Sequence, residues 1–356
     1  MAYATGTATT ANDLLAALAT FAAAQGWTVD KNTAGLLFLH KGICYVQMQT
    51  ASITYQDYAT GAAVTTNDTV IRASLSTGVT TALTTYFGHP GSLCTTATDT
   101  DRVETNQLQG PFPEYHIFSG GAGDPDYIMM AVRIGTDMWR HFGFGFVNKG
   151  NFTHSGAVFL HGHNGYFWRT SGGMTATSQH YNAPSKAAVP YAINTDNTVT
   201  VSASFQQSYI PDALPNTADW PAMYSGYNIS FSLVTLRDRP STGATSGFPS
   251  ISSNANPRWL NPVMNAEASN WGGNVMLFPI PCIRFTNTIT KGCYVGGYPN
   301  IRLLNMTGFQ NGQEITLGSD VWKIFSIGRF GPWATQTETG WNYNTGPIGF
   351  AYKKVT

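Results

Sequence analysis

At 356 residues, with 19 basic and 19 acidic side chains and no net charge, the chain carries no global field to draw in a phosphate backbone or an anionic membrane surface. Charged residues make up only 11%, whereas hydrophobic residues reach 42% and aromatics 13%, which excludes a disordered, highly solvated polymer and leaves a surface made polar by Thr, Ser, Asn, Gln and Gly. The length exceeds the roughly 250 to 300 residues at which a single core stops growing, so two domains are expected, 1–240 and 254–356. The Arg239 to Ser253 stretch, rich in Pro, Ser, Thr and Gly, is the linker between them.

Met1 to Gly6 lack the basic and apolar regions of a secretory signal, and no window approaches the roughly 20 apolar residues of a membrane span, so synthesis in a cytosol is expected. Cys44, Cys94, Cys282 and Cys293 form no CxxC pair and read as buried thiols, not as zinc ligands or disulfides. Sequons at Asn67, Asn151, Asn228 and Asn305 carry no weight without a secretory route.

The first periodic element is a helix of about sixteen residues, with Thr10 and Asp13 in capping-box spacing and Gly26 as its stop. Leu14, Leu15, Leu18, Phe21 and Ala22 recur on one face, which must be buried against the chain's own body or a neighbouring subunit. Leu14, Leu18, Phe21 and Trp27 are therefore candidate assembly-interface residues, and the uncharged arm before the helix could drape over a neighbour. The period then changes to two. Leu36 to His40 and Ile43 to Met48 flank Lys41-Gly42 as a tight hairpin. Further strands are expected at Thr69 to Leu75, Tyr127 to Ile134, Met138 to Val147, Ala157 to His161, Thr198 to Phe205, Tyr227 to Leu236, Val275 to Phe278, Cys282 to Thr286, Ile301 to Leu304, Glu314 to Leu317, Val321 to Phe325 and Gly349 to Lys353. A second helix at Gly78 to Tyr86 competes with four threonines that form helices poorly. Long polar passages at Thr95 to Pro113 and Ala183 to Asn197 read as loops. The fold class is mainly β, with antiparallel sandwich-type domains and one N-terminal amphipathic helix.

Residues that could carry chemistry are scattered. His161-Gly162-His163 would place two imidazoles on one strand face, a geometry suited to zinc, iron or copper, with His141 or His154 as a third ligand; the competing reading is ordinary packing histidines, and no carboxylate completes the set. There is no G-x-S-x-G elbow, no kinase set and no H-E-x-x-H. Glycan cleavage needs two placed carboxyl groups, and the glutamates are only Glu104, Glu114, Glu267, Glu314 and Glu338. Asp124-Pro125-Asp126 is either half of a calcium site or a turn. Gly143-Phe144-Gly145 lacks the third glycine of a phosphate loop and reads as a bulge or a close backbone approach within a strand. Trp168, Trp220, Trp259 and Trp271 lie in or beside loops, where they can pack at subunit interfaces or stack on carbohydrate.

Three segments resemble a group of tailed-phage and prophage virion proteins that travel with tail and baseplate genes. The first runs from Ala4-Thr5-Gly6-Thr7-Ala8 through Asn12-Asp13-Leu14-Leu15-Ala16-Ala17-Leu18 to Gly26-Trp27-Thr28-Val29. The second joins Tyr127-Ile128-Met129-Met130-Ala131-Val132 to Trp139-Arg140-His141-Phe142-Gly143-Phe144-Gly145 and Lys149-Gly150. The third leads from Pro299-Asn300-Ile301-Arg302 through Gly312 to Gly318 into Asp320-Val321-Trp322-Lys323-Ile324-Phe325, with a similar close at Gly349 to Lys354. Thr170 to Asn270 departs from these phrases. The resemblance implies a structural role in a virion tail or baseplate, with other tail proteins and further copies of the chain as partners, no cofactor, no active-site residues, and assembly into particles after synthesis in the bacterial host cytoplasm. The alternative is a host-surface protein whose loop tryptophans stack on polysaccharide.

Overall fold

The computed structural model describes residues 3–56, 63–92, 94–97, 103–105, 108–134, 138–148, 158–162, 275–285, 292–326, 328–329 and 348–355, together with short strands at 203–204, 217–218, 222–223 and 235–238. Its elements are β1 (Tyr3–Ala8), α1 (Ala11–Ala24), β2 (Thr28–Thr33), β3 (Leu36–Lys41), β4 (Cys44–Gln56), β5 (Ala63–Ser76), β6 (Val103–Thr105), β7 (Phe112–Ser119), β8 (Tyr127–Ile134), β9 (Met138–Phe146), β10 (Val158–His161), β11 (Ala203–Ser204), β12 (Thr217–Ala218), β13 (Ala222–Met223), β14 (Thr235–Asp238), β15 (Phe278–Phe285), β16 (Gly292–Asn305), β17 (Glu314–Leu317), β18 (Asp320–Ser326), β19 (Gly328–Arg329) and β20 (Ile348–Lys354). The protein is mainly β, and its described strand pairs are antiparallel apart from the parallel pair β14 and β15.

The helix forms where its caps dictate. Thr10 Oγ1 accepts the Asp13 N–H at 3.2 Å while the Asp13 carboxylate accepts the Thr10 N–H at 2.8 Å, completing the capping box. At the other end Gly26 takes a left-handed φ of 78°, and the N–H groups of Gly26 and Trp27 bond the carbonyls of Ala23 and Ala22, a Schellman stop. Lys41 adds a cation at this terminus, its Nζ 2.9 Å from the Gln25 carbonyl and 2.7 Å from Asp126.

Three layers follow from the pairing. An N-terminal sheet runs β2-β3-β4-β5-β6, a central sheet β1-β7-β8-β9-β10 with β19 also on β9, and a C-terminal sheet β11-β14-β15-β16-β20-β18-β17. Period-two alternation gives the central sheet two apolar faces. One face, with Ile117, Ile128, Met130, Val132, Phe142, Phe144 and Leu160, packs against α1 and against Leu37, Leu39, Val46, Met48 and Ile71 of the N-terminal sheet. The other, with Phe118, Met129, Trp139 and Phe159, packs against Ile301, Leu303, Phe325, Phe350 and Tyr352 of the C-terminal sheet. A smaller core on the far side of the C-terminal sheet gathers Leu304, Met306, Phe309, Ile315, Trp322 and Ile324. The 240–253 stretch lies outside the described residues, and strands from before and after it share the second core. The chain crosses between sheets after β18, so that Gly328 pairs with Trp139, and Asn148 bridges to Gly297.

The hairpin closes as expected, Lys41 pairing with Cys44 around a φ of 54° at Gly42. β8 and β17 match their predicted bounds. Residues 3–8 of the arm form an edge strand paired with β7, from Tyr3 with Phe118 to Ala8 with Phe112. One expectation changes: residues 78–86 form no helix, because their carbonyls serve other donors. Lys31 Nζ bonds Thr81 O and Leu83 O, Ser74 Oγ bonds Tyr86 O, and the His89 ring bonds Thr85 O, which straps this loop over the outer face of the N-terminal sheet.

Candidate functional site

The densest concentration of chemistry-bearing groups among the described residues is the seam between the central and C-terminal sheets. Strand alternation sends His116 from β7, His141 from β9 and His161 from β10 to the same face as Phe118, Trp139 and Phe159. His116 and His141 share a row through Ala131, while His161 sits opposite Gly143, one diagonal from His141.

Each imidazole is held differently. His141 is fully buried; its Nε2–H donates to the Ser326 carbonyl at 2.9 Å, and its Nδ1 accepts the Tyr352 hydroxyl at 2.7 Å, which fixes the neutral tautomer. His116 Nδ1 lies 2.7 Å from Tyr3 Oη and its Nε2 lies 2.7 Å from Glu114, with its ring against Phe325 at 4.8 Å and Trp139 at 5.7 Å. His161 has no hydrogen-bond partner on either nitrogen and is enclosed by Tyr298 and Phe350, each 5.9 Å away and edge-on. Burial pushes all three below the usual histidine range: His116 to about 4, against the opposing pull of Glu114; His141 to about 3; and His161 to about 3, with His141 adding to the effect. Burial likewise raises the Tyr352 hydroxyl well above its ordinary value. Neutral and sealed by aromatic rings, with His116 and His141 also hydrogen-bonded, these groups suit fixing two sheets in register.

Metal ligation makes poor use of this arrangement. Both nitrogens of His141 are engaged, and no group of three His, Cys, Asp or Glu able to hold a metal occurs among the described residues. His163, the second half of the HxH pair, lies outside the described residues. The other candidates resolve as follows. Asp124 accepts the Gly121 N–H at 2.9 Å and Asp126 pairs with Lys41 at 2.7 Å, so this triplet forms a tied turn. A Cβ on Gly143 would run into Met129 and the Ile128 carbonyl, and one on Gly145, at φ 141°, into Tyr127, so of the bulge and the close backbone approach the strand uses the close approach. Cys44 and Cys94 are buried thiols outside any disulfide, and burial pushes the Cys44 thiol up.

Compared with protein-family models and with curated proteins, the chain matches none. The four aromatic candidates Trp168, Trp220, Trp259 and Trp271 lie outside the described residues. The assembly candidates Leu14, Leu18, Phe21 and Trp27 require correction: they are 0%, 0%, 7% and 4% exposed within the chain's own core, so of the two burials open to the helix stripe the fold uses the internal one. Sequence reasoning passed over His116, Tyr352 and Ser326. The signal for His116 was the alternation Tyr115-His116-Ile117-Phe118, obscured by Pro113; Tyr352 and Ser326 meet His141 only through long-range pairing. No helix among the described residues is long and apolar enough to cross a membrane.

Proposed function

We propose that the chain is a structural component of a tailed-phage particle, assembling in the tail or baseplate through protein–protein contacts, and not a catalyst. The observation that carries this reading is that the three segments resembling virion proteins make up interlocking parts of the layered body. The first forms β1 and α1, the second β8 and β9 of the central sheet, and the third the end of β16 together with β17, β18 and β20. A resemblance spread over elements that pack on one another is one of whole-body architecture. The charge-poor, aromatic-rich composition supports it, since broad and lasting subunit contacts deplete charge and enrich aromatics. Other tail proteins and further copies of the chain in a symmetric assembly are the proposed partners.

The test is mass spectrometry and immunogold labelling of purified particles from the source phage or induced prophage. Stoichiometric presence, with gold at the tail end, is expected; absence from particles overturns the proposal. The second reading, a host-surface protein, rests on Trp168, Trp220, Trp259 and Trp271 as stacking platforms. It requires the isolated protein to bind host polysaccharide, and to lose that binding when these tryptophans become alanine.

A further inference from the structure

β1 forms one edge of the central sheet, and no backbone group of residues 3–8 bonds to anything beyond β7 among the described residues. An edge of this kind normally carries a guard, such as a charge, a proline or very short length. The terminal strands of the three large sheets other than β1 carry charge or are short. β2 carries Asp30 and Lys31, β17 carries Glu314, β6 has three residues, β10 has four that are all buried, and β11 has two. β1 has none of these: its six residues, Tyr-Ala-Thr-Gly-Thr-Ala, are uncharged and free of proline, and Thr5 and Thr7 stand exposed.

We infer that the outer edge of β1 pairs with β1 of a second copy, antiparallel about a two-fold axis, to make one continuous central sheet across a dimer. The strand suits its own copy. A two-fold perpendicular to the sheet requires opposed residues to lie on the same face, which holds when it passes through Thr5 or Gly6. Through Thr5, Tyr3 faces Thr7, Thr5 faces Thr5, and Ala4 faces Gly6; through Gly6, Thr5 faces Thr7 and Ala4 faces Ala8. Either register keeps the small residues on the helix side and the hydroxyls together on the other, where Thr–Thr pairs are favourable. A charge near such an axis meets its own copy, and β1 carries none; the formal neutrality of the whole chain removes long-range repulsion as well. The inward edge stays engaged, since Thr5 Oγ1 donates to the Tyr115 carbonyl at 2.8 Å and Tyr115 covers Gly6 so closely that a Cβ there would collide with its hydroxyl.

The experiment uses the full chain in sedimentation equilibrium. Wild type should dimerise. A variant with Thr5→Lys and Thr7→Lys, and another with Thr5→Glu and Thr7→Glu, should each keep the wild-type circular dichroism spectrum while self-associating more than about tenfold more weakly, because like charges then oppose each other across the axis. Mixing the two should restore a heterodimer. If either double variant fails to fold, Thr5→Lys and Thr5→Glu, whose charges stand opposite each other when the axis passes through Thr5 and diagonally across it when the axis passes through Gly6, replace them. A monomeric wild type, a dimer indifferent to the lysines, or a mixture that stays monomeric would each overturn the inference. The pairing stands without the virion reading: a monomeric chain leaves particle incorporation open, and absence from particles leaves the dimer open.

Discussion

The two faces of the central sheet meet neighbours of different chemistry. Toward α1 and the N-terminal sheet it presents Ile117, Ile128, Met130, Val132, Phe144 and Leu160, an almost wholly hydrocarbon seam. Toward the C-terminal sheet the same strands present His116, Phe118, Trp139, His141, Phe159 and His161, a seam of rings with directional bonds to Tyr3, Glu114, Ser326 and Tyr352. Hydrocarbon contact is non-directional and indifferent to pH. Hydrogen-bonded imidazoles specify one register of sheet on sheet, and they make that register depend on staying neutral. One sheet thus supplies bulk stability on one side and positional definition on the other.

Acid is the strongest way to break the second seam while sparing the first. In the unfolded chain each imidazole takes up a proton near 6.5, whereas in the fold His116 does so only at about 4 and His141 and His161 only at about 3. Below 6.5 the unfolded state binds protons that the native state refuses. The stability held by these groups is therefore full above pH 6.5 and drains as pH falls toward 4 and then 3, by up to about 1.4 kcal/mol per pH unit per histidine. Urea unfolding between pH 7 and pH 5, above the usual carboxylate range, should show this slope. His89, buried in the loop over the N-terminal sheet, is also held low. The decisive comparison is accordingly with His161→Phe, which should match or exceed wild type at pH 7 and have a shallower acid slope. Equal slopes would place the sensitivity elsewhere.

Phe144→Ala attacks the hydrocarbon seam. Phe144 is fully buried and edge-on to Trp27 at 5.0 Å, so truncation should cost about 3 to 5 kcal/mol, with the same loss at pH 7 and pH 5. A loss that grew on acidification would contradict the separation of the two seams. Tyr352→Phe acts on the other side with less force. It removes the hydroxyl from His141 Nδ1 and leaves a buried acceptor unmet, for about 1 to 3 kcal/mol in denaturant unfolding at pH 7. Full retention of stability would mean the hydroxyl contributes nothing to the seam.

The hydrocarbon seam was the more legible of the two in sequence. The cap at Thr10, the Leu14-Leu15-Leu18-Phe21 stripe and the glycine stop are local signals, and α1 follows them. The nearly continuous apolar runs that mark β8 and β9, buried on both faces, are local too. β7 was missed because Pro113 interrupts it, although the proline sits where the register with β1 shifts and so costs no ladder bond. β2, with Asp30 and Lys31 in Thr-Val-Asp-Lys-Asn-Thr, looks like a loop until pairing with β3 makes it an edge. The histidine seam was hidden for a deeper reason. His161-Gly162-His163 drew attention as a local pair, yet the imidazole beside His161 is His141, brought there by the β9–β10 pairing, and the partners of His141 come from residues 326 and 352. No window of sequence contains that site.

The smallest expected effect sharpens the comparison at the point where the helix enters the hydrocarbon seam. Thr10→Ala deletes the Oγ1 that accepts the Asp13 N–H and leaves the Asp13 carboxylate without its 3.0 Å bond from that hydroxyl. The Thr9 and Thr10 N–H bonds to the same carboxylate can persist, so the loss should be about 1 kcal/mol in denaturant unfolding. Because α1 buries Leu14 and Leu18 only on the N-terminal side of the central sheet, fraying its first turn should speed hydrogen exchange at the start of the helix. Exchange in β16, β18 and β20 beyond the histidine seam should remain at wild-type rates. If those strands loosened together with α1, the two seams would be one cooperative unit and the central sheet would be transmitting strain between its faces.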